Sequence, residues 1–233
     1  MRFLYIFPHP DDESFGPARA IAVQVRQGHE VFLLTLTKGE ATKMRHKFGY
    51  TLQQMGEVRY REMLKMEKVL GLKGMTVLDF PDSGLKELDP RLLEKAVRDE
   101  ILKLKPNIVV TYPVHGISGF YDHIVGHAVV KRVYLEMKEN GASYLKRLAF
   151  ETLTSIPEDF NWKHLNLAKP EEVDCVYEVP DEDMATFQRA LNCYETYQDV
   201  IAESRVREMP NRAEFEIFQE DHQPPLKDLT EGL

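Results

Sequence analysis

Phe3-Leu4-Tyr5-Ile6-Phe7-Pro8-His9-Pro10-Asp11-Asp12-Glu13 is an apolar run that breaks off into two prolines, a histidine and three acids. Five apolar residues with no polar alternation match a strand buried on both faces, as inside a parallel sheet. The run is too short for a signal peptide, and no stretch of the chain approaches the roughly 20 apolar residues of a membrane span. The polar segment therefore starts at the carboxyl end of a buried strand, where open α/β sheets bind their ligands.

Outward from this stretch, strands and helices alternate. A helix is expected over residues 17–27, with Ala18, Ile21, Ala22 and Val25 on one face and Gly28 as its stop. Strands follow at 31–37, 75–80, 107–112 and 148–152. Helices lie between them at 57–70, from Asp89-Pro90 to about 104, and at 122–137. This order implies an α/β fold, a mostly parallel sheet with helices on both faces, over residues 1–152. The pattern weakens over 153–233, where a strand at 173–179 and an unbroken amphipathic helix at 181–204 are expected. The helix uses Met184, Phe187, Leu191, Tyr194 and Ile201. We read this part as a C-terminal α+β extension packed on the core, both parts forming a single domain. Its long helix could pack between subunits of a homo-oligomer. The proline-interrupted end, 223–233, reads as a mobile or covering arm.

The chain has 233 residues, 30 basic and 38 acidic, for a formal net charge of −8. The basic residues are scattered, which argues against nucleic acid or an anionic membrane as partner. A chain of this length can bury enough apolar surface without a staple, so a metal would serve chemistry. Cys175 and Cys193 lie in separate elements and form no CxxC pair, which speaks against a disulfide framework or a thiolate zinc site. With no leader and no span, the expected location is cytoplasmic.

Two clusters carry chemistry. In the first, adjacent carboxylates at a strand end repel one another and need a positive partner, which a divalent ion supplies. Pro8 and Pro10 stiffen the turn so that His9 and Asp12 can converge on it. The bland alternative is that Asp11 or Asp12 caps the next helix. The second cluster runs from His115 to His123, with His127 one turn later, directly after the strand at 107–112. Four of the eight histidines fall in the two clusters. His9, Asp12 and His123 give three N/O donors and leave a fourth position open, the arrangement of a catalytic zinc site. The donor set suits Zn2+, with Fe2+, Mn or Co as alternatives.

On Pro8-His9-Pro10-Asp11-Asp12-Glu13, the Leu36-Thr37-Lys38-Gly39-Glu40 strand end, Arg59-x-x-Glu62 with Leu70-Gly71, Asp82-Ser83-Gly84 and Asp122-His123, the chain resembles the PIG-L/LmbE-like family of zinc-dependent de-N-acetylases. The resemblance runs over about residues 2–152. It implies a Rossmann-like fold without a dinucleotide, and hydrolysis of the N-acetyl group of an N-acetylglucosamine-type conjugate to acetate and a free amine. It also implies His9, Asp12 and His123 as metal ligands, Asp11 as general base, and Arg59 and Asp82 as substrate-binding residues. The partner would be a small N-acylated molecule. One position departs. The family's His-x-Asp-His is here Phe120-Tyr121-Asp122-His123, and the role of its first histidine falls by preference to His115, ahead of His127, Tyr112 and Tyr121. An ordinary helix-surface pair is the plain reading of Arg59 and Glu62.

Three rivals are weaker. A nucleotide-binding enzyme lacks GxGxxG after its first strand. A magnesium-dependent phosphatase fits poorly with histidine ligation. A non-catalytic metal-binding protein would make the Phe120 departure a sign of lost activity.

Overall fold

The computed structural model describes residues 1–156 and 164–233. β1 (Arg2–Phe7) leads through the one-turn α1 (Asp12–Phe15) into α2 (Ala18–Arg26). Then come β2 (Glu30–Thr37), α3 (Met44–Lys47), α4 (Leu52–Leu70), β3 (Gly74–Phe80), α5 (Pro90–Leu104), β4 (Ile108–Thr111), α6 (Tyr121–Glu139) and β5 (Arg147–Thr152). The C-terminal part adds β6 (Cys175–Glu178), α7 (Asp181–Asn192), α8 (Gln198–Ser204) and β7 (Arg212–Ile217).

The strands form one sheet of order β3-β2-β1-β4-β5-β7-β6. β1 to β5 are parallel, and β7 and β6 continue the same sheet antiparallel. The α/β architecture expected from the strand and helix alternation is present. Alternate residues of β1 serve opposite faces. Phe3, Tyr5 and Phe7 pack with residues of α2, α4 and α7, whereas Leu4 and Ile6 pack with residues of α5 and α6. All five are at most 1% exposed, and full burial of such side chains stabilises by about 1.5–3 kcal/mol each before entropy is counted. Chain direction across the sheet reverses between β1 and β4, so a crevice opens beyond their carboxyl ends.

Several elements depart from expectation. α4 starts at Leu52 rather than 57, because Thr51 and Gln54 form a reciprocal capping box. The helix expected over 181–204 is broken. Glu62 accepts the Thr196 N–H at 2.6 Å and its hydroxyl at 2.9 Å, which takes that amide out of the helical ladder. α7 thus ends at Asn192 and α8 begins at Gln198. β7 was not anticipated, although Ala213, Phe215 and Ile217 alternate with Glu214 and Glu216. The end of the chain is a covering arm: Leu229 is fully buried, its N–H donates to Tyr177, and Arg147 donates to its carbonyl. Among the described residues, no helix is long and apolar enough to cross a membrane.

Candidate active site

β1 ends where the Thr37 N–H and hydroxyl both donate to Pro8 O at 2.9 Å, fixing the backbone that carries His9. The next turn is unusual. Asp11 has φ 83°, a left-handed conformation that non-glycine residues seldom adopt. Its carboxylate makes no capping bond to α1, which removes the capping reading for Asp11, and ion-pairs instead with Arg59. Asp12, the first residue of α1, turns the other way. Its Oδ2 accepts the His9 N–H at 2.8 Å and its Oδ1 accepts the Tyr112 hydroxyl at 2.8 Å.

Two rings face Asp12. His9 Nδ1 lies 3.5 Å from Oδ2, and His123 Nε2 lies 3.4 Å from Oδ1. The far nitrogen of each ring is held from behind. His123 Nδ1 sits 2.9 Å from Gly116 O, which leaves Nε2 free to offer a lone pair. Gly116 has φ +63°, and a Cβ there would stand 2.7 Å from His123 Cβ, so only glycine lets the loop come this close. His9 Nε2 lies 3.1 Å from Asp122 Oδ2 and 3.3 Å from Asp82 Oδ1. Asp122 also accepts the backbone N–H groups of Ser83 and Leu85. It thereby orients His9, whereas its neighbour His123 is oriented by the Gly116 loop. The donor atoms of His9, Asp12 and His123 lie within 4.8 Å of one another, and those of His9, Asp82 and Asp122 form a second, overlapping set.

The charges follow from these contacts. Burial opposes the charged form of His9, but its bonds to Asp12, Asp122 and Asp82 outweigh that and raise its pKa well above the ordinary value. Burial raises Asp11 to about 6, against the pull of Arg59 and with the push of Asp12. Burial also works on Asp12, yet His123 and His9 hold it well below the carboxylate range. Two adjacent acids are thus driven apart, as in acid–base sites.

Together these residues floor a cavity of about 500 Å³, lined also by Arg59, Asp82, Ser118 and Phe120. Six of the seven residues singled out from the sequence line it: His9, Asp11, Asp12, Arg59, Asp82 and His123. His115 is outside the lining. The left-handed Gly116 and Ile117 turn the loop back, and the His115 ring accepts the Ile117 N–H at 3.1 Å. His127 is buried, its Nδ1 2.9 Å from Tyr112 O. Arg59 and Glu62 are 1% and 3% exposed, which rules out a surface pair. The Arg59 guanidinium donates to Pro10 O at 2.7 Å as well as to Asp11, and the Tyr197 ring lies against it, 3.8 Å from centroid to carbon. Asp82 accepts the Ala41 N–H at 2.7 Å, so much of its bonding capacity is spent within the protein.

Tyr194, whose ring centroid lies 5.2 Å from the Arg59 guanidinium carbon, Tyr197 and the Glu62–Thr196 bond were missed, since nothing local in the sequence marks contacts over 130 residues apart. Glu151 also lines the cavity and was missed. It had a signal, an acid inside the otherwise uncharged Leu148-Ala149-Phe150-Glu151-Thr152 strand.

Residues 4–134 match the family model described as PIG-L: GlcNAc-PI de-N-acetylase. The chain belongs to the PIG-L family. Over 139 residues it is 31% identical to a probable N-acetyl-alpha-D-glucosaminyl L-malate deacetylase 2 of Bacillus subtilis, covering 59% of this chain and 62% of that one. Over 147 residues it is 31% identical to the mycothiol S-conjugate amidase of Streptomyces coelicolor, covering 55% and 50%. The match thus spans about half to three-fifths of these PIG-L relatives. Among solved structures, the zinc-inhibited form of the teicoplanin deacetylase Orf2 superposes with a TM-score of 0.72 over 95% of this chain and 99% of that one. Identity is 15%, a likeness of fold.

Proposed function

We propose that this PIG-L protein is a metal-dependent N-deacetylase that hydrolyses the acetamide of an N-acetylglucosamine-type conjugate to acetate and a free amine. The observation that carries this reading is a three-donor N/O set on the cavity floor with one carboxylate, Asp11, beside it but outside it. His9, Asp12 and His123 would hold the ion, and a set without thiolate suits Zn2+ ahead of Fe2+ or another divalent metal. The fit rests on their geometry, since the far nitrogen of each ring is anchored and the near one faces Asp12. The ion supplies Lewis acidity, lowering the pKa of a water from about 15.7 toward 7 and stabilising charge on the acyl oxygen.

The chain does the rest. Asp11 takes a proton from the attacking water as its oxygen bonds to the acyl carbon, then returns it to the nitrogen as the C–N bond breaks. Arg59, packed against Tyr197 and buried, positions Asp11, and with Asp82 it borders the space for the sugar. Tyr112 and the His9 N–H fix Asp12. Asp122 and Asp82 fix His9.

The test joins metal analysis to acetate release from a panel of N-acetylated glucosides. Asp11→Ala should keep the metal and lose about 100- to 10,000-fold in turnover, and His9→Ala should lose both. Acetate release at the wild-type rate by Asp11→Ala would remove the role given to Asp11. Purified protein that takes up no divalent metal would remove the reading itself.

A further inference from the structure

Among the described residues, four acids line the cavity, and three of them have partners in the protein. Asp11 is on Arg59, Asp12 is on Tyr112 and the two histidines, and Asp82 is on His9 and Ala41 N. Glu151 is the fourth. It is the penultimate residue of β5, is 2% exposed, and its side chain has no hydrogen bond or ion pair among the described residues. Its Oε1 fills the place where a side chain at Gly16 would begin, 2.1 Å from an ideal Cβ there. Among the described residues the cation that acts on it is Arg19, whose Nε and Nη1 are spent on the carbonyls of Gly16, Pro210 and Arg212. The cavity lining also includes the apolar side chains of Phe15, Leu153, Leu165, Val206 and Met209.

A buried carboxyl without a partner is costly, so its partner is expected to come from what fills the cavity. We propose that Glu151 is a specificity-determining residue that binds a hydroxyl on the aglycone of the substrate. The aglycone itself would be an apolar frame seated against Phe15, Leu153, Leu165, Val206 and Met209. This rests on the deacetylase reading for the orientation, the acetamide lying at the donor set. A hydroxyl fits better than an ammonium group. Burial, partly offset by Arg19 and reinforced by Asp12 and Glu214, lifts the Glu151 carboxyl to about 8, so at neutral pH it both donates and accepts. Nearby Arg19 would also repel a cation.

The experiment uses the metal-loaded full chain and four probes, the N-acetylglucosaminides of cyclohexanol and of the 1,2-, 1,3- and 1,4-cyclohexanediols. Dissociation constants are read by calorimetry and acetate release is followed in parallel. Wild type should bind at least one diol glycoside about tenfold more tightly than the cyclohexyl glycoside, the size of one well-made hydrogen bond. Glu151→Leu should bring that ratio within twofold of one, and Glu151→Gln, which keeps a donor and an acceptor, should preserve most of it. Gly16→Ala is the second route, since its methyl displaces the carboxyl and should also erase the ratio. A ratio that survives in both Glu151→Leu and Gly16→Ala, or wild type without a preferred diol, overturns the proposal. Turnover without preference sinks Glu151 alone. Preference without turnover sinks the deacetylase reading and leaves Glu151 standing, and no binding at all sinks both.

Discussion

Side chains at the carboxyl ends of β1 and β4 account for the donor set, and most of them were legible because they are chemically odd where they stand. His9, Asp11 and Asp12 follow a buried strand, and His123 follows another. Glu151 is equally odd, an acid at the inner end of β5, and can be tested without substrate. Its carboxyl sits near 8 in the folded chain against an ordinary 4.5. Below pH 4.5 both folded and unfolded chains hold the proton. Between 4.5 and 8 only the folded chain holds it, so this group's contribution to stability is lost as pH rises and levels off above 8. Glu151→Gln has no such dependence. The melting temperature of Glu151→Gln relative to wild type should therefore climb between pH 5 and pH 8, by about 2–4 °C for each kcal/mol removed. Thermal denaturation at several pH values checks this, and a difference that stays flat would mean the carboxyl is already ionised in the folded protein.

At the level of elements, the parallel strands and most helices could be read because their signals are local. The capping box of α4 was equally local, Thr51-x-x-Gln54, as was the two-residue alternation of β7. The break between α7 and α8 was not, because it is made by Glu62, 134 residues before its partner Thr196. Docking of the terminal arm is another long-range effect. Arg147, 4% exposed, forms a two-pronged pair with Glu220 at 2.8 and 2.6 Å and donates to the carbonyls of Leu229 and Glu231. Arg147→Met leaves these carbonyls without this donor and Glu220 with His222 alone. It should cost about 3 kcal/mol and speed proteolytic clipping of the last residues. Urea denaturation and limited proteolysis read the two effects, and an unchanged midpoint would show that β5 and the arm hold together without this staple.

For the molecule as a whole, we propose that residues 1–152 and 153–233 form one folding unit. One apolar cluster draws Phe3, Ile21 and Met63 from the first part and Tyr177, Phe187, Leu191 and Phe215 from the second. A chain ending at Thr152 would expose β5 as an edge and leave its half of that cluster open to water. Such a fragment should show no cooperative thermal transition and should bind dyes that report exposed apolar surface. A sharp transition for it would make the C-terminal part a separate module.

The stack of Arg59 on Tyr197, with Asp11 paired to the same guanidinium, ties the start of the chain to its last third. During synthesis the ribosome releases every proposed metal donor long before Tyr197 emerges. If the chain is one folding unit, those donors and the clamp that aims the base would come together only after the last third has been made. On the proposed function, the nascent chain would stay chemically silent until its last helices have settled into place.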